Sequence, residues 1–174
     1  EYKATRQKTP DELRPQGGLA RHVCQALRIP ILEVPGVEAD DIVGTVARCA
    51  EAAGIEALIV TGDNDALQLV TDHVHVLTTR KGISDTVEYD PAAVREKYGI
   101  DPEQVPDLKA LAGDTSDNIP GVRGVGEKTA VKLLQRFGGI EGILAHQDEI
   151  AEARVRAALE AAGEQPRHSR VLAT

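Results

Sequence analysis

Apolar positions along this chain follow helical spacing in some stretches and strand-like runs in others. "GLARHVCQALRI" has helical periodicity and leads into a short apolar run, "IPILEV", that reads as a strand. Ala39, Ile42, Val43, Val46, Ala47 and Ala50 then recur at helical spacing, with Pro35 and Gly36 before them and Gly54 closing the segment, which predicts a helix with a buried face. "IEALIVTGDND" reads as a buried strand over residues 58–61 ending in a glycine turn, and "ALQLV" resumes a helix. "HVHVLTT" and "TVEY", separated by "RKGIS", predict a hairpin. Asp90 as helix cap and Pro91 in the first turn open "PAAVREKYG", and a further short helix follows. Strands alternating with helices in the first half and helices alone in the second predict an α/β core with a helical annex.

Composition narrows the partners. A chain of 174 residues with 41% hydrophobic content buries a real core. Only 2% of its residues are aromatic, so any nucleic-acid contact must use backbone and charge rather than stacking. No apolar run approaches a membrane span, and no membrane partner is expected. Cys24 and Cys49 lie in apolar, helix-like settings without a metal spacing, and read as reduced core residues of a cytosolic protein. The chain has no Met and opens on "EYKATR", which reads as a fragment.

The net charge of −8 is unevenly spread. Residues 33–73 hold nine acids and a single base, Arg48, whereas residues 1–28 carry six bases, Lys3, Arg6, Lys8, Arg14, Arg21 and Arg28, against Glu1, Asp11 and Glu12. An acidic centre beside a basic segment suits an enzyme that binds divalent ions and acts on phosphates, since bound ions reverse the sign of the centre. A solvated acidic face is the bland alternative.

Three acidic clusters carry the candidate chemistry. In "GVEADDIVG", Glu38, Asp40 and Asp41 sit at a helix mouth, where one carboxylate suffices to cap free N–H groups. Asp63 and Asp65 follow a strand, the place where open α/β sheets hold ligands. Asp114 and Asp117 lie in the loop "GDTSDNIPG". The latter two pairs are also ordinary turn-formers. Gathered in one place, the seven would repel each other without a cation. Carboxylates and water are ligands for Mg²⁺ or Mn²⁺ rather than Zn²⁺. Two such ions about 3.5–4 Å apart support in-line displacement at phosphorus, so phosphodiester hydrolysis is the natural reaction. His73 and His75 read as outward polar positions of an alternating strand, not as a metal pair.

Downstream, Gly121, Gly124 and Gly126 precede an amphipathic helix bearing Lys128, Thr129, Lys132 and Arg136. Its N-terminus offers free N–H groups to a phosphate and its lysines add charge. "GVRGVGEKTA" followed by "LL" matches the helix-hairpin-helix pattern, which grips the DNA backbone without reading sequence.

"YKATR", "VEADDIVGTVA", "TGDNDALQLV" and "YGIDPEQVPDLKALAGDTSDNIPGVRGVGEKTAVKLL" occur in the order and spacing of the flap endonuclease family, and resemble its 5′→3′ exonuclease domain of bacterial DNA polymerase I. The resemblance implies a PIN-like, FEN-type α/β nuclease core over residues 1–110, with residues 1–20 a remnant of the helical arch and the N-terminal strand missing. It implies a helical subdomain over 111–174 with a helix-hairpin-helix annex at about 119–138. By the same resemblance, Glu38, Asp40, Asp41, Asp63, Asp65, Asp114 and Asp117 would hold two Mg²⁺ ions, with Mn²⁺ able to substitute. Lys3 and Arg6 would contact the scissile phosphate. Gly121, Gly124, Gly126, Lys128, Thr129 and Lys132 would hold the duplex, with K⁺ at the hairpin.

Two departures stand out: Asn64 replaces a Lys common in "GDKD", and the family's upstream Asp-bearing strand precedes Glu1. The implied substrate is DNA with a 5′ flap, a nick or an RNA primer, cut by a monomer continuous with a polymerase domain, cytoplasmic and nucleoid-associated. The rival from another class is a catalytically incomplete DNA-binding module. A phosphatase lacks support, because "DND" is not the expected strand-to-DxD loop.

Overall fold

The computed structural model describes residues 3–4, 8, 10–81 and 85–174. Helix α1 (Arg14–Ala26) opens on Pro15 in its first turn, where a missing N–H costs nothing. Helix α2 (Ala39–Ala52) starts at Glu38, whose N–H donates to Asp41 Oδ2 at 3.3 Å. Strand β1 (Ala57–Val60) pairs in parallel with β2 (Val74–Lys81), which pairs antiparallel with β3 (Asp85–Tyr89), giving the order β1-β2-β3. The expected hairpin is therefore present.

Helix α3 (Pro91–Tyr98) is capped by Asp90, which accepts from the Ala93 N–H at 2.7 Å, and Gly99 terminates it in the left-handed conformation at φ 72°. Then come α4 (Val105–Ala112), α5 (Glu127–Phe137), α6 (Ile140–Ala145), α7 (Ala153–Ala162) and α8 (Gln165–Ala173). The core lies mainly in this helical half, where Val94, Leu111, Leu134, Ile143, Ile150 and Leu159 are fully buried, and it takes in Val76 and Tyr89 of the sheet and Leu67 of the turn after β1.

Helix α8 fastens the later elements. Ser169 Oγ and Gln165 Nε2 both donate to the Pro120 carbonyl, at 2.8 and 2.6 Å. Arg170 Nε lies 2.6 Å from Oδ1 of Asp107, a buried α4 carboxylate whose pKa burial pushes up despite the opposing guanidinium. At the far end of α8, the Ala173 carbonyl accepts from Gln68 Nε2 at 3.1 Å, which ties the annex to the turn after β1.

Several expectations are corrected. Residues 29–34, predicted as a strand, have no regular structure and are exposed, since Pro30 lacks a donor and no described strand pairs with them. The helix expected at "ALQLV" is a 3-10 turn over Asn64–Leu69. The α2 face is less buried than its periodicity suggested: only Ala47 is buried and Val46 is 48% exposed. Among the described residues β1 lies at the edge of the sheet, with Leu58 and Val60 exposed rather than buried. Cys24 and Cys49 are free thiols as expected, yet Cys24 is half-buried and Cys49 exposed, so neither is a core residue. His73 and His75 bond Glu56 and Glu88 through Nδ1, at 2.9 and 2.7 Å.

Candidate functional site

Each acidic cluster is set by its own local structure. At the mouth of α2, Glu38 is the N-cap and pairs with Lys3 Nζ, Asp41 completes a capping box by accepting from the Glu38 N–H, and Asp40 stays exposed. Beyond β1, the Asp63 carboxylate accepts from the Asp65 N–H at 3.0 Å and so opens the 3-10 turn. Asp114 leaves α4 and forms a two-way backbone bridge with Ile119, at 2.8 and 2.9 Å. Its Oδ1 accepts from the Ser116 N–H at 2.8 Å. Asp117 is buried at 6% exposure; its carbonyl accepts from the Lys3 N–H at 3.0 Å, and its Oδ2 lies 3.9 Å from Lys3 Nζ.

These elements converge. A concavity of about 550 Å³ is lined by Asp63, Asp65, Lys109, Asp114, Ser116 and Asp117. An adjoining one of about 250 Å³ is lined by Lys3, Glu38, Asp40, Asp41, Asp65 and Asp117, together with the end of α8. Asp65 and Asp117 border both. All seven sequence-derived carboxylates therefore face one pair of cavities, and Lys3 stands among them. Arg6 lies outside the described residues.

The expected mutual repulsion is met from within the chain. Lys109 Nζ bonds Asp65 and lies 2.6 Å from Asp114 Oδ2, while Lys3 serves Glu38 and Asp117. Sequence reasoning missed Lys109. Its signal was a lone cation in a helix where Val105, Pro106, Leu108, Ala110 and Leu111 are all buried.

Burial works to raise the Asp114 pKa, but Lys109 and Ser116 outweigh it and bring the carboxyl down to about 2. At Asp65 burial wins, helped by Asp63 and opposed by Lys109, so its pKa is raised. Lys109 is also raised, burial being overcome by its two carboxylate partners. Among the described residues, no three Asp, Glu, His or Cys side chains meet closely enough to enclose an ion by themselves. The donor set nonetheless fits a small hard cation, because Mg²⁺ keeps several waters and needs only one or two carboxylates.

The glycine segment forms a tight loop. A Cβ on Gly121 would sit 2.4 Å from the Ala112 carbonyl carbon and the Gly113 nitrogen, so only glycine lets the loop lie against the end of α4. Gly124 has φ +87°, and Gly126 caps α5 in an extended conformation. Lys128 and Lys132 are exposed, Thr129 is half-buried, and Thr129, Lys132 and Arg136 line one groove on α5. The start of α5, exposed Lys128 and this groove lie on one helix, whose N-terminus leaves free N–H groups.

An α/β sheet edged by carboxylates and followed by a glycine hairpin opening a basic helix defines a FEN-type nuclease fold, and the chain belongs to the 5′-3′ exonuclease family. Residues 1–99 match its N-terminal resolvase-like domain and residues 100–174 its C-terminal SAM fold. The chain is 54% identical to DNA polymerase I of Bacillus caldotenax over 159 residues, covering 91% of this chain and 18% of that protein. It is 49% identical to DNA polymerase I of Bacillus subtilis over 174 residues, covering 100% and 20%. It thus spans about a fifth of the length of these curated relatives.

Among solved structures, the 5′-exonuclease of bacteriophage T5 with bound divalent metal ions superposes with a TM-score of 0.79 at 26% identity, covering 99% of this chain and 66% of that one. The T5 flap endonuclease in a complex with DNA and metal ions gives 0.79 at 25%, with the same coverage. The catalytic core of Rad2, at 16% identity and a TM-score of 0.57 over 88% of this chain and 50% of that one, shares the fold. No described helix is long and apolar enough to cross a membrane.

Proposed function

We propose that this chain is the metal-dependent 5′→3′ exonuclease and 5′-flap endonuclease portion of a DNA polymerase I, hydrolysing phosphodiester bonds at flaps, nicks and RNA primers. The observation that carries this reading is the convergence of seven carboxylates from three separate elements on two cavities that share Asp65 and Asp117. The DNA and metal ions named for the T5 flap endonuclease support it, as do the DNA polymerase I relatives.

In this reading Asp63, Asp65, Asp114 and Asp117 hold divalent ions on one side, and Glu38, Asp40 and Asp41 hold them on the other, directly or through water. Bound Mg²⁺, or Mn²⁺ in its place, supplies an acidified water and neutralises charge on the phosphate. Lys3 and Arg6 stabilise the phosphate. The Lys3 bonds to Glu38 and to the Asp117 backbone, which hold it between the two carboxylate groups, support this role. Gly121, Gly124, Gly126, Lys128, Thr129 and Lys132 grip the duplex backbone, with a monovalent cation such as K⁺ at the hairpin. Fixing the duplex there holds the scissile bond still without reading sequence.

The test is cleavage of a 5′-labelled flap duplex with Mg²⁺ or EDTA, comparing the parent with an Asp114→Ala/Asp117→Ala variant. The expected result is Mg²⁺-dependent cleavage lost by at least about 100-fold in the variant while duplex binding persists. Cleavage unchanged by EDTA or by the double substitution overturns the assignment. Duplex binding with no cleavage by the parent, in its full-length context, would favour the DNA-binding module.

A further inference from the structure

Lys109 occupies an unusual place for a lysine. Its side chain is only 17% exposed, and it reaches from α4 to two carboxylates on different elements, Asp65 beyond β1 and Asp114 at the start of the following loop. Both carboxylates line the 550 Å³ cavity, and Lys109 lines it with them. A bare pair of carboxylates so placed would repel, so the ammonium is what lets the two segments meet.

We propose that Lys109 is a built-in counter-ion: it fills the cation position between Asp65 and Asp114 in the metal-free chain and must withdraw before a divalent ion binds there. The inference rests on the carboxylates being the metal site of the proposed nuclease. Lys109 is a positioning residue in this account, acting on the ligands rather than on the phosphate. Chemistry favours lysine for the part. Its compact charge imitates a bound ion, and its flexible stem lets the charge swing aside without disturbing the helix. A lysine docked in all but about 1–10% of molecules weakens apparent metal affinity by about 10–100-fold, since only the undocked fraction is competent. Lys109 therefore trades metal affinity for a site that stays assembled while empty.

Lys109→Met keeps the length and apolar stem and removes the charge. Mn²⁺ binding to the chelator-stripped protein is read from the electron paramagnetic resonance signal of free Mn²⁺, and folding from far-ultraviolet circular dichroism. The expected result is Mn²⁺ affinity at least about tenfold tighter than the parent's. The metal-free melting temperature should be lower, and Mn²⁺ should raise it by more than it raises the parent's. Lys109→Arg, which keeps the charge, is the second variant and should bind Mn²⁺ no tighter than the parent. A folded Lys109→Met chain with parental or weaker affinity overturns the counter-ion role, as does a tighter-binding Lys109→Arg chain. Asp114→Asn separates the two levels of the argument. If it abolishes Mn²⁺ binding while Lys109→Met leaves affinity unchanged, the metal site stands and only the lysine's role falls. If parent and Lys109→Met alike show no saturable Mn²⁺ binding, the metal site falls and takes the inference with it.

Discussion

Replacing Gly121 by alanine tests whether the hairpin loop owes its position to one missing methyl group. The added Cβ would lie 2.4 Å from the Ala112 carbonyl carbon, 2.4 Å from the Gly113 nitrogen and 2.7 Å from the Ala112 carbonyl oxygen. These are backbone atoms, and they are fixed: the Gly113 N–H donates to the Lys109 carbonyl at 2.7 Å and the Val122 N–H to the Leu111 carbonyl at 2.8 Å. The φ of Gly121 is not positive, so the effect is one of space and not of backbone preference. Overpacking a site whose side chains can yield costs about 1–3 kcal/mol, and a backbone wall puts this case at the upper end, about 3 kcal/mol. For a chain of this length each kcal/mol lowers the melting temperature by about 2–4 °C, so Gly121→Ala should melt about 6–12 °C below the parent in EDTA.

The same displacement loosens the Asp114–Ile119 bridge, so flap cleavage should fall even below the melting range. Gly126→Ala is the control for glycine loss alone. Nothing lies within 4 Å of its Cβ position, and it gives up only the advantage of glycine over alanine as a cap, under about 1 kcal/mol. A Gly121→Ala melting temperature within about 2 °C of the parent's would refute the reasoning, because a methyl group cannot enter that space without moving the backbone.

Two further outcomes are expected. Asp114 has a folded pKa of about 2 against an ordinary 3.8, so its ion pair stabilises the metal-free chain above about pH 4, and that contribution is lost as pH falls toward 2. Asp65 is shifted upward and has the opposite sign, so the measurement is the difference between Asp114→Asn and the parent. The variant should be less stable by about 1–2 kcal/mol at pH 6 after allowance for solvent screening, and the gap should close by pH 2 in urea melts; a gap independent of pH contradicts it. Lys128→Ala/Lys132→Ala should weaken duplex binding and flatten its salt dependence by about 0.9 in log–log slope for each phosphate no longer neutralised, read by fluorescence anisotropy, and an unchanged slope removes those lysines from the DNA surface.

Features that a few neighbouring residues decide were legible in the sequence. The Asp90 cap with Pro91, the β2–β3 hairpin and the glycine segment before α5 all rest on backbone preferences that act within a turn or two. Glu38 and Asp41, read as carboxylates at a helix mouth, form the capping box of α2, with Asp40 between them exposed at the cavity. Periodicity also marked α1 and α2, but it could not report what covers them. No residue of α1 is buried, and an apolar stripe shows only that a helix can be covered on that side. Residues 29–34 had the composition of a strand and none of its structure, because a strand exists only when a neighbour completes its hydrogen bonds.

The candidate site divides in the same way. Its carboxylates were visible one cluster at a time, and the prediction that they gather agrees with the cavities they line. What neutralises them was not visible. Lys109 stands 44 positions from Asp65 in the chain, and no local pattern links the two. Packing of α4 against the 3-10 turn that follows β1 brings an ammonium between two carboxylates, because charges in a half-buried cavity must find partners wherever in the sequence those partners lie.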